Sequence, residues 1–307
     1  GIQSHVSTLW RLLARYQVPV FLFINKMDQP GTDAERLMAE MKDRLDERCV
    51  AFGRQDLSGA ITSEPLTIPG SVTKIGGAAF RNSACLKTVE FENGAAQLEM
   101  ASSYDYNSNQ GAFRDCKALK QVTLPDQLVT MPNHTFADCT SLETVTFGTG
   151  LTSIGNWAFS GCSSLQAADF PASLDSIGEG GFSGCTSLTG VDLPESVAEI
   201  GEGAFQGCTS LEEIRVASGN QSYREINGLL VSLDGCVLHS CPAGKSGMLA
   251  VPEGIRSIGD NAFSGCTGLT GVAIPESVRS VSKSAFQGCT GLVEIQVDAG
   301  NNRYGAI

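Results

Sequence analysis

What this 307-residue sequence lacks narrows it first. It has no excess of positive charge: 21 Lys and Arg stand against 33 Asp and Glu, a net charge of −12. Without a basic patch it is a poor match for phosphate backbones or an anionic membrane surface, so no nucleic acid partner is expected. It has no long apolar run. The longest strand-like one, Val18–Ile24, falls far short of the ~20 residues of a spanning helix, so no membrane insertion is expected. Histidine is scarce: His5, His134 and His239 stand in unrelated contexts and read as surface or turn residues rather than general bases. No catalytic constellation emerges, and the chain is not expected to be an enzyme. Gly1 replaces an initiating Met, with no signal-peptide pattern behind it, so the chain reads as a fragment. Apolar residues reach 42%, enough for a sizeable core, which excludes wholesale disorder.

Repetition is what the sequence does have. Cys116, Cys139, Cys162, Cys185 and Cys208 are each 23 residues apart, as are Cys266 and Cys289. A Phe lies three residues before each of them and a Leu three residues after. An earlier copy has Phe80 and Leu86, with Ser83 in the Cys place and Cys85 two residues late. Each turn offers apolar residues that it cannot bury alone. Stacking the turns at a fixed rise sets Phe on Phe, Leu on Leu and Cys on Cys, which is a solenoid. After the Leu, the run Leu-x-x-Val-x-Leu of 119–124 and 188–193 alternates like a short strand, and Pro125 or Pro194 ends it. Ile-Gly pairs at 154–155, 177–178, 200–201 and 258–259 let the chain bend before the Phe-bearing turn.

This spelling resembles the BspA-like leucine-rich repeats over roughly Leu66–Ile307. The fold expected is an α/β repeat: a BspA-like leucine-rich-repeat solenoid with a 23-residue period, spanning 66–307. Two breaks in the period fit it. From Phe80 to Phe113 the step is 33, and the extra polar residues around Ala101–Gln110 read as a surface loop. From Cys208 to Cys266 the step is 58. The resemblance implies a strand-rich, hairpin-like insert there, near 217–250. The last residues, Val297–Ile307, align with Val216–Ile226, so the array reads as truncated inside a second insert.

Cysteine at a constant inward site reads as a small buried apolar residue. Disulfides between rungs about 5 Å apart are the lesser alternative. Cys236-Val-Leu-His239-Ser-Cys241 offers three ligands for a metal in a hairpin but lacks a fourth and has no familiar zinc spacing, so no metal site is expected. A Cys236–Cys241 disulfide is the other option for that pair.

Residues 1–52 differ in kind. Their seven basic and seven acidic side chains cancel, so the whole −12 lies beyond them. Val6, Leu9, Trp10, Leu13 and Tyr16 form a helical stripe; Val18–Ile24 is a buried-strand run; Thr32-Asp-Ala-Glu35 is a capping box opening a helix with Leu37, Met41, Leu45 and Cys49. That is a short α-β-α piece. With Asn25-Lys26-Met27-Asp28 between strand and second helix, the segment resembles P-loop GTPases of the translation-factor type, such as elongation factor G and ribosomal-protection tetracycline-resistance proteins. The resemblance implies guanine recognition: Asp28 would accept two guanine N–H bonds, Lys26 would lie against the base and Asn25 would brace the loop. The phosphate cradle Gly-x-x-x-x-Gly-Lys-Ser/Thr is missing; Gly244-Lys245-Ser246 matches its ending only, and position 239 is His239. GTP hydrolysis is therefore not expected, because nothing would stabilise the charge of the transition state. No cofactor is expected; GTP enters only if this segment is a working corner. Residues 53–65 read as a linker or fusion seam.

The function expected is non-enzymatic binding of a protein or host-surface ligand, basic or polar in character, on the strand face of the solenoid. Its outward residues include Lys120, Gln121, Glu143, Thr144, Asp169, Asp192, Glu212, Glu213, Arg215, Glu294 and Gln296. The repeat resemblance implies adhesion and surface display or secretion, whereas the GTPase resemblance implies cytoplasm. The alternative is a GTP-binding translation factor of which only the guanine-recognition corner is present.

Overall fold

The computed structural model describes residues 65–94, 96–100, 111–301 and 303–304. The segment 1–52 with Asn25, Lys26 and Asp28, most of the seam, and the loop 101–110 lie outside the described residues.

A regular rung puts two short strands into two separate parallel ladders. On one side, Leu66–Ile68, Thr88–Phe91, Gln121–Thr123 and Thr144–Thr146 pair in that order. Val89, Val122 and Val145 stand in register and point inward. On the other side, the two-residue strands Thr130–Met131, Ser153–Ile154, Ser176–Ile177 and Glu199–Ile200 pair likewise, with Met131, Ile154 and Ile177 turned in. The rung at 165–170 has Ala168 where its neighbours have Val or Ile, and no strand forms there, so the long-strand ladder restarts at Gly190–Leu193 and Glu213–Val216.

Between the ladders the chain turns through the Phe and Cys columns. Phe113, Phe136 and Phe159 are completely buried and stack at 5.2 and 5.3 Å between ring centroids. Phe80 stacks on Phe113 at 4.9 Å despite the longer step between them. These spacings match the ~4.8 Å separation of hydrogen-bonded strands, so one rise serves backbone and rings together. Each stacked pair adds about 0.5–1.5 kcal/mol beyond the area it buries. The column breaks after Phe205 and resumes with Phe263 on Phe286 at 4.8 Å.

Among the described residues there is no helix, which corrects the α/β expectation for the repeat. The turn is bracketed by left-handed residues two before and two after the Phe. His134 and Asp138 flank Phe136 at φ 57° and 61°; Trp157 and Gly161 flank Phe159 at 58° and 75°. A left-handed residue every four positions prevents a run of helical dihedrals. His134 and Trp157 hold this conformation where the next rungs use Gly180 and Gly203, and the Trp157 ring fills the space over Gly180.

The cysteines on the column are free, and they do more than fill volume. The thiol of Cys139 donates to the Phe113 carbonyl of the preceding rung at 3.1 Å, and Cys162, Cys185 and Cys208 do the same to Phe136, Phe159 and Phe182. Each Phe carbonyl thus takes its own rung's Cys N–H and the next rung's thiol.

The insert is a meander. Tyr223–Ile226 and Leu229–Ser232 are antiparallel around Asn227-Gly228, both at positive φ (54° and 77°), the left-handed pair that a two-residue hairpin turn demands. Val237–Ser240 then pairs antiparallel to the second strand and parallel to Ser257–Ile258, returning the chain to the short-strand ladder. Cys236 precedes the strand Val237–Ser240, His239 lies half-buried on it and Cys241 is buried in the core; among the described residues no three metal-ligating side chains come together. Among the described residues no helix is long and apolar enough to cross a membrane.

Candidate functional site

The outward residues expected to bind a partner do share the long-strand side. The Glu143 N–H donates to the Lys120 carbonyl at 2.8 Å, and Glu212 occupies the same file three rungs on, donating to Thr189. Asp192 faces Arg215 in register, and Glu213 and Glu294 open their strands. Asp169 sits in the rung that forms no strand. Much of the charge there is neutralised within the face. Lys120 Nζ meets Glu143 Oε1 at 2.8 Å, and the Arg215 guanidinium bonds both Asp192 and Glu213. Arg215 holds the Asp192 carboxyl below the usual carboxylate range.

The opposite, short-strand side holds a groove of about 1450 Å³ running across successive rungs from Lys74 to Tyr223. Its floor includes Gly155, Gly178 and Gly201. A Cβ on Gly155 would meet the Asn133 nitrogen at 2.6 Å and one on Gly178 the Asn156 nitrogen at 2.6 Å, so only glycine lets these rungs close up. Beside this strip runs a hydroxyl file: Thr130, Ser153 and Ser176 are in register, and Ser176 Oγ donates to Ser153 Oγ at 2.9 Å. On its far side Asn133 Oδ1 accepts the Asn156 N–H at 2.8 Å, and Asn156 Oδ1 accepts that of Glu179 at 3.0 Å. This fixes both amides and leaves their NH₂ groups as donors along the groove.

Charge is uneven along it. At the first rungs Lys74 pairs with Glu99 at 3.1 Å. Further on, Glu179 and Glu199 line the groove, and neither has an ion-pair partner among the described residues. The groove ends at Tyr223, the first strand residue of the insert. Its phenol is pushed up by burial, and its ring packs edge-on against His239 at 5.3 Å. The fold behind it is pinned by Asn220, whose amide bonds four main-chain groups: it donates to the carbonyls of Pro194 and Val197 and accepts from Ser222 and Tyr223 N–H.

His134 lies half-buried in a turn, as read from sequence; His239 is on a strand and half-buried, not a surface or turn residue. Among the described residues neither hydrogen-bonds a serine, cysteine or carboxylate. The groove was missed in the sequence although its signal is present: Ser or Thr recurs before the inward residue at 130, 153, 176, 257 and 280. Period alone does not say which side of a rung is recessed.

A family profile described as a BspA type leucine-rich repeat region matches residues 57–108, 106–226 and 244–306. Among solved structures, the pneumococcal vaccine antigen PcpA is 26% identical with a TM-score of 0.55; the match covers 80% of this chain and 54% of that one. A leucine-rich repeat protein from Eubacterium ventriosum is 22% identical with a TM-score of 0.54, over 69% of this chain and 60% of that one, a likeness of fold. The chain therefore spans less than two thirds of the length of either neighbour.

Proposed function

The chain belongs to the BspA type leucine-rich repeat family, and from that premise we propose that it is a non-enzymatic binding protein whose groove on the short-strand side takes an extended polypeptide with basic side chains. The observation that carries this reading is the pairing of an open, multi-rung groove with carboxylates, Glu179 and Glu199, that no cation among the described residues neutralises. Fixed amide donors and a hydroxyl file beside them suit main-chain carbonyls and N–H groups of an extended segment. The long-strand side, with Lys120, Glu143, Asp192, Glu213 and Arg215 bonded among themselves, is the lesser candidate. Adhesion outside the cell is part of the proposal; its support is the neighbour described as a vaccine antigen.

The test is a fluorescence-anisotropy titration of an extended Lys- and Arg-containing peptide against its Glu-substituted counterpart. Glu179→Lys with Glu199→Lys should abolish the preference for the basic peptide. Glu212→Lys with Glu213→Lys should leave it. The reverse order would move the site to the long-strand side, and no preference in the unaltered protein would end the reading.

A second reading rests on Asn25-Lys26-Met27-Asp28 alone. Under it the amino-terminal segment binds guanine nucleotides, and calorimetry should show GDP uptake that Asp28→Asn abolishes. No uptake by the unaltered chain would dismiss it.

A further inference from the structure

The insert rejoins the array as a rung that is two residues short. In regular rungs four residues separate the inward strand residue from the Phe, as between Ile200 and Phe205 or between Ile258 and Phe263. In the insert only His239 and Ser240 separate Leu238 from Cys241. Leu238 is in register with Ile258. Cys241 then makes the bond a Phe would make: its N–H donates to the Ala262 carbonyl at 2.6 Å, as that of Phe182 does to Ala204 at 2.8 Å. The missing pair corresponds to the left-handed bulge formed by Gly203 and Asn261 in the flanking rungs. Its absence leaves a notch of about 290 Å³ whose lining includes Glu202, Gly203, Phe205, His239, Asp260 and Ser264.

Donors stranded by this gap line the notch. In the rung before, Gly180 N–H donates to Glu202 O at 3.0 Å and Phe182 N–H to Ala204 O. The equivalent N–H groups of Gly203 and Phe205 have lost their acceptors and make no hydrogen bond among the described residues. The Ser264 hydroxyl, on a residue only 4% exposed, is buried without a partner. A buried donor left without an acceptor is costly, so the notch favours a ligand that supplies one. Acceptors line the same notch: the carboxylates of Glu202 and Asp260, the latter already taking the Ser284 hydroxyl at 2.9 Å. Burial pushes the His239 imidazole toward its neutral form, so it adds no positive charge.

We propose that this notch binds a primary carboxamide. Its oxygen accepts from the stranded N–H and O–H groups, and its NH₂ donates to the carboxylates. A ligand carboxylate would face Glu202 and Asp260. An ammonium or guanidinium would offer the N–H groups nothing to donate to. The notch adjoins the groove through Ile200 and Gly201, but this site does not depend on what the groove binds.

The test uses the full chain with ¹⁵N-labelled phenylalanine, titrated with N-acetylglutamine methylamide, N-acetylglutamate methylamide and acetamide. The Phe205 amide resonance should move downfield and saturate with the glutamine compound, and bind the glutamate compound on the order of tenfold more weakly. Acetamide saturating at equal concentration would assign the site to small free amides; weaker binding would assign it to an Asn or Gln side chain of a polypeptide. Ser264→Ala removes an unsatisfied hydroxyl, so the free protein should keep its stability while affinity for the glutamine compound falls several-fold. An unmoved Phe205 resonance, or equal response to glutamine and glutamate, would overturn the proposal and leave a notch filled by water alone.

Discussion

The Tyr223 hydroxyl oxygen accepts the main-chain N–H of Ile200 at 3.0 Å, so the first strand of the insert caps the short-strand ladder one rung behind it. The chain repeats the device 81 residues later: Tyr304 takes the N–H of Val281 at 3.1 Å, and Asn301 stands where Asn220 does, bonding Pro275 and Val278. Tyr223→Phe keeps the packing and strands the Ile200 N–H. It should destabilise the protein by about 1–3 kcal/mol, read as a lower urea midpoint with an unchanged slope. No change would mean that water replaces the phenol.

The glycine strip under the groove is steric rather than conformational. Gly178→Ala places a methyl against the Asn156 nitrogen and should cost several kcal/mol, on the order of a severe core substitution. Gly76→Ala, where a Cβ meets nothing within 4 Å, should be tolerated. Thermal denaturation of the two variants checks this. A tolerated Gly178→Ala would show that the rungs can spread.

Thiol reactivity should divide along the structure. Burial pushes the Cys162 thiol up and that of Cys289 up to about 11, whereas Cys85 is exposed. In native protein at neutral pH, iodoacetamide should modify Cys85 first among the described cysteines and leave Cys139, Cys162 and Cys185 unlabelled until denaturant is added. Peptide mapping by mass spectrometry reads the order. Early labelling of Cys162 would contradict the column.

Acid should weaken the fold through two imidazoles. Burial lowers the His239 pKa; burial and then the charge of Arg114 lower that of His134. The unfolded chain, with histidine near about 6.5, therefore binds protons first as pH falls. This stability is fully present above about pH 6.5 and declines as pH drops from there toward the folded values. His134→Asn with His239→Gln should flatten the urea midpoint between about pH 7.5 and about pH 5. An equal slope in the variant would assign the acid sensitivity to other groups.

Much of this architecture is legible in the letters. A Phe, Cys and Leu at fixed spacing can be buried only by a neighbouring copy, so the Phe113–Phe136–Phe159 column and the inward Val122 and Val145 follow from period and polarity. The helix did not follow, because the residues that forbid it are not only glycines. His134, Trp157 and Asp138 adopt left-handed backbone that neither propensity nor spacing assigns to them. The role of the thiols was half legible: burial was, but the bond from Cys139 to the Phe113 carbonyl depends on how one rung lands on the next.

The sequence by itself determined that the chain coils, how often, and which side chains face the core, since a repeating apolar pattern has only one way to leave water. The tertiary structure alone decided where a ligand can sit. The groove from Lys74 to Tyr223 arises from close contact of Gly155 and Gly178 with the rungs before them. The notch at Phe205 and Ser264 arises from two residues missing in a strand that comes back from elsewhere. Both are distances between segments far apart in the chain, set by the rise of the stack; the hydroxyl file at 130, 153 and 176 and the short step from Leu238 to Cys241 stand in the sequence, but do not by themselves say that a recess forms there.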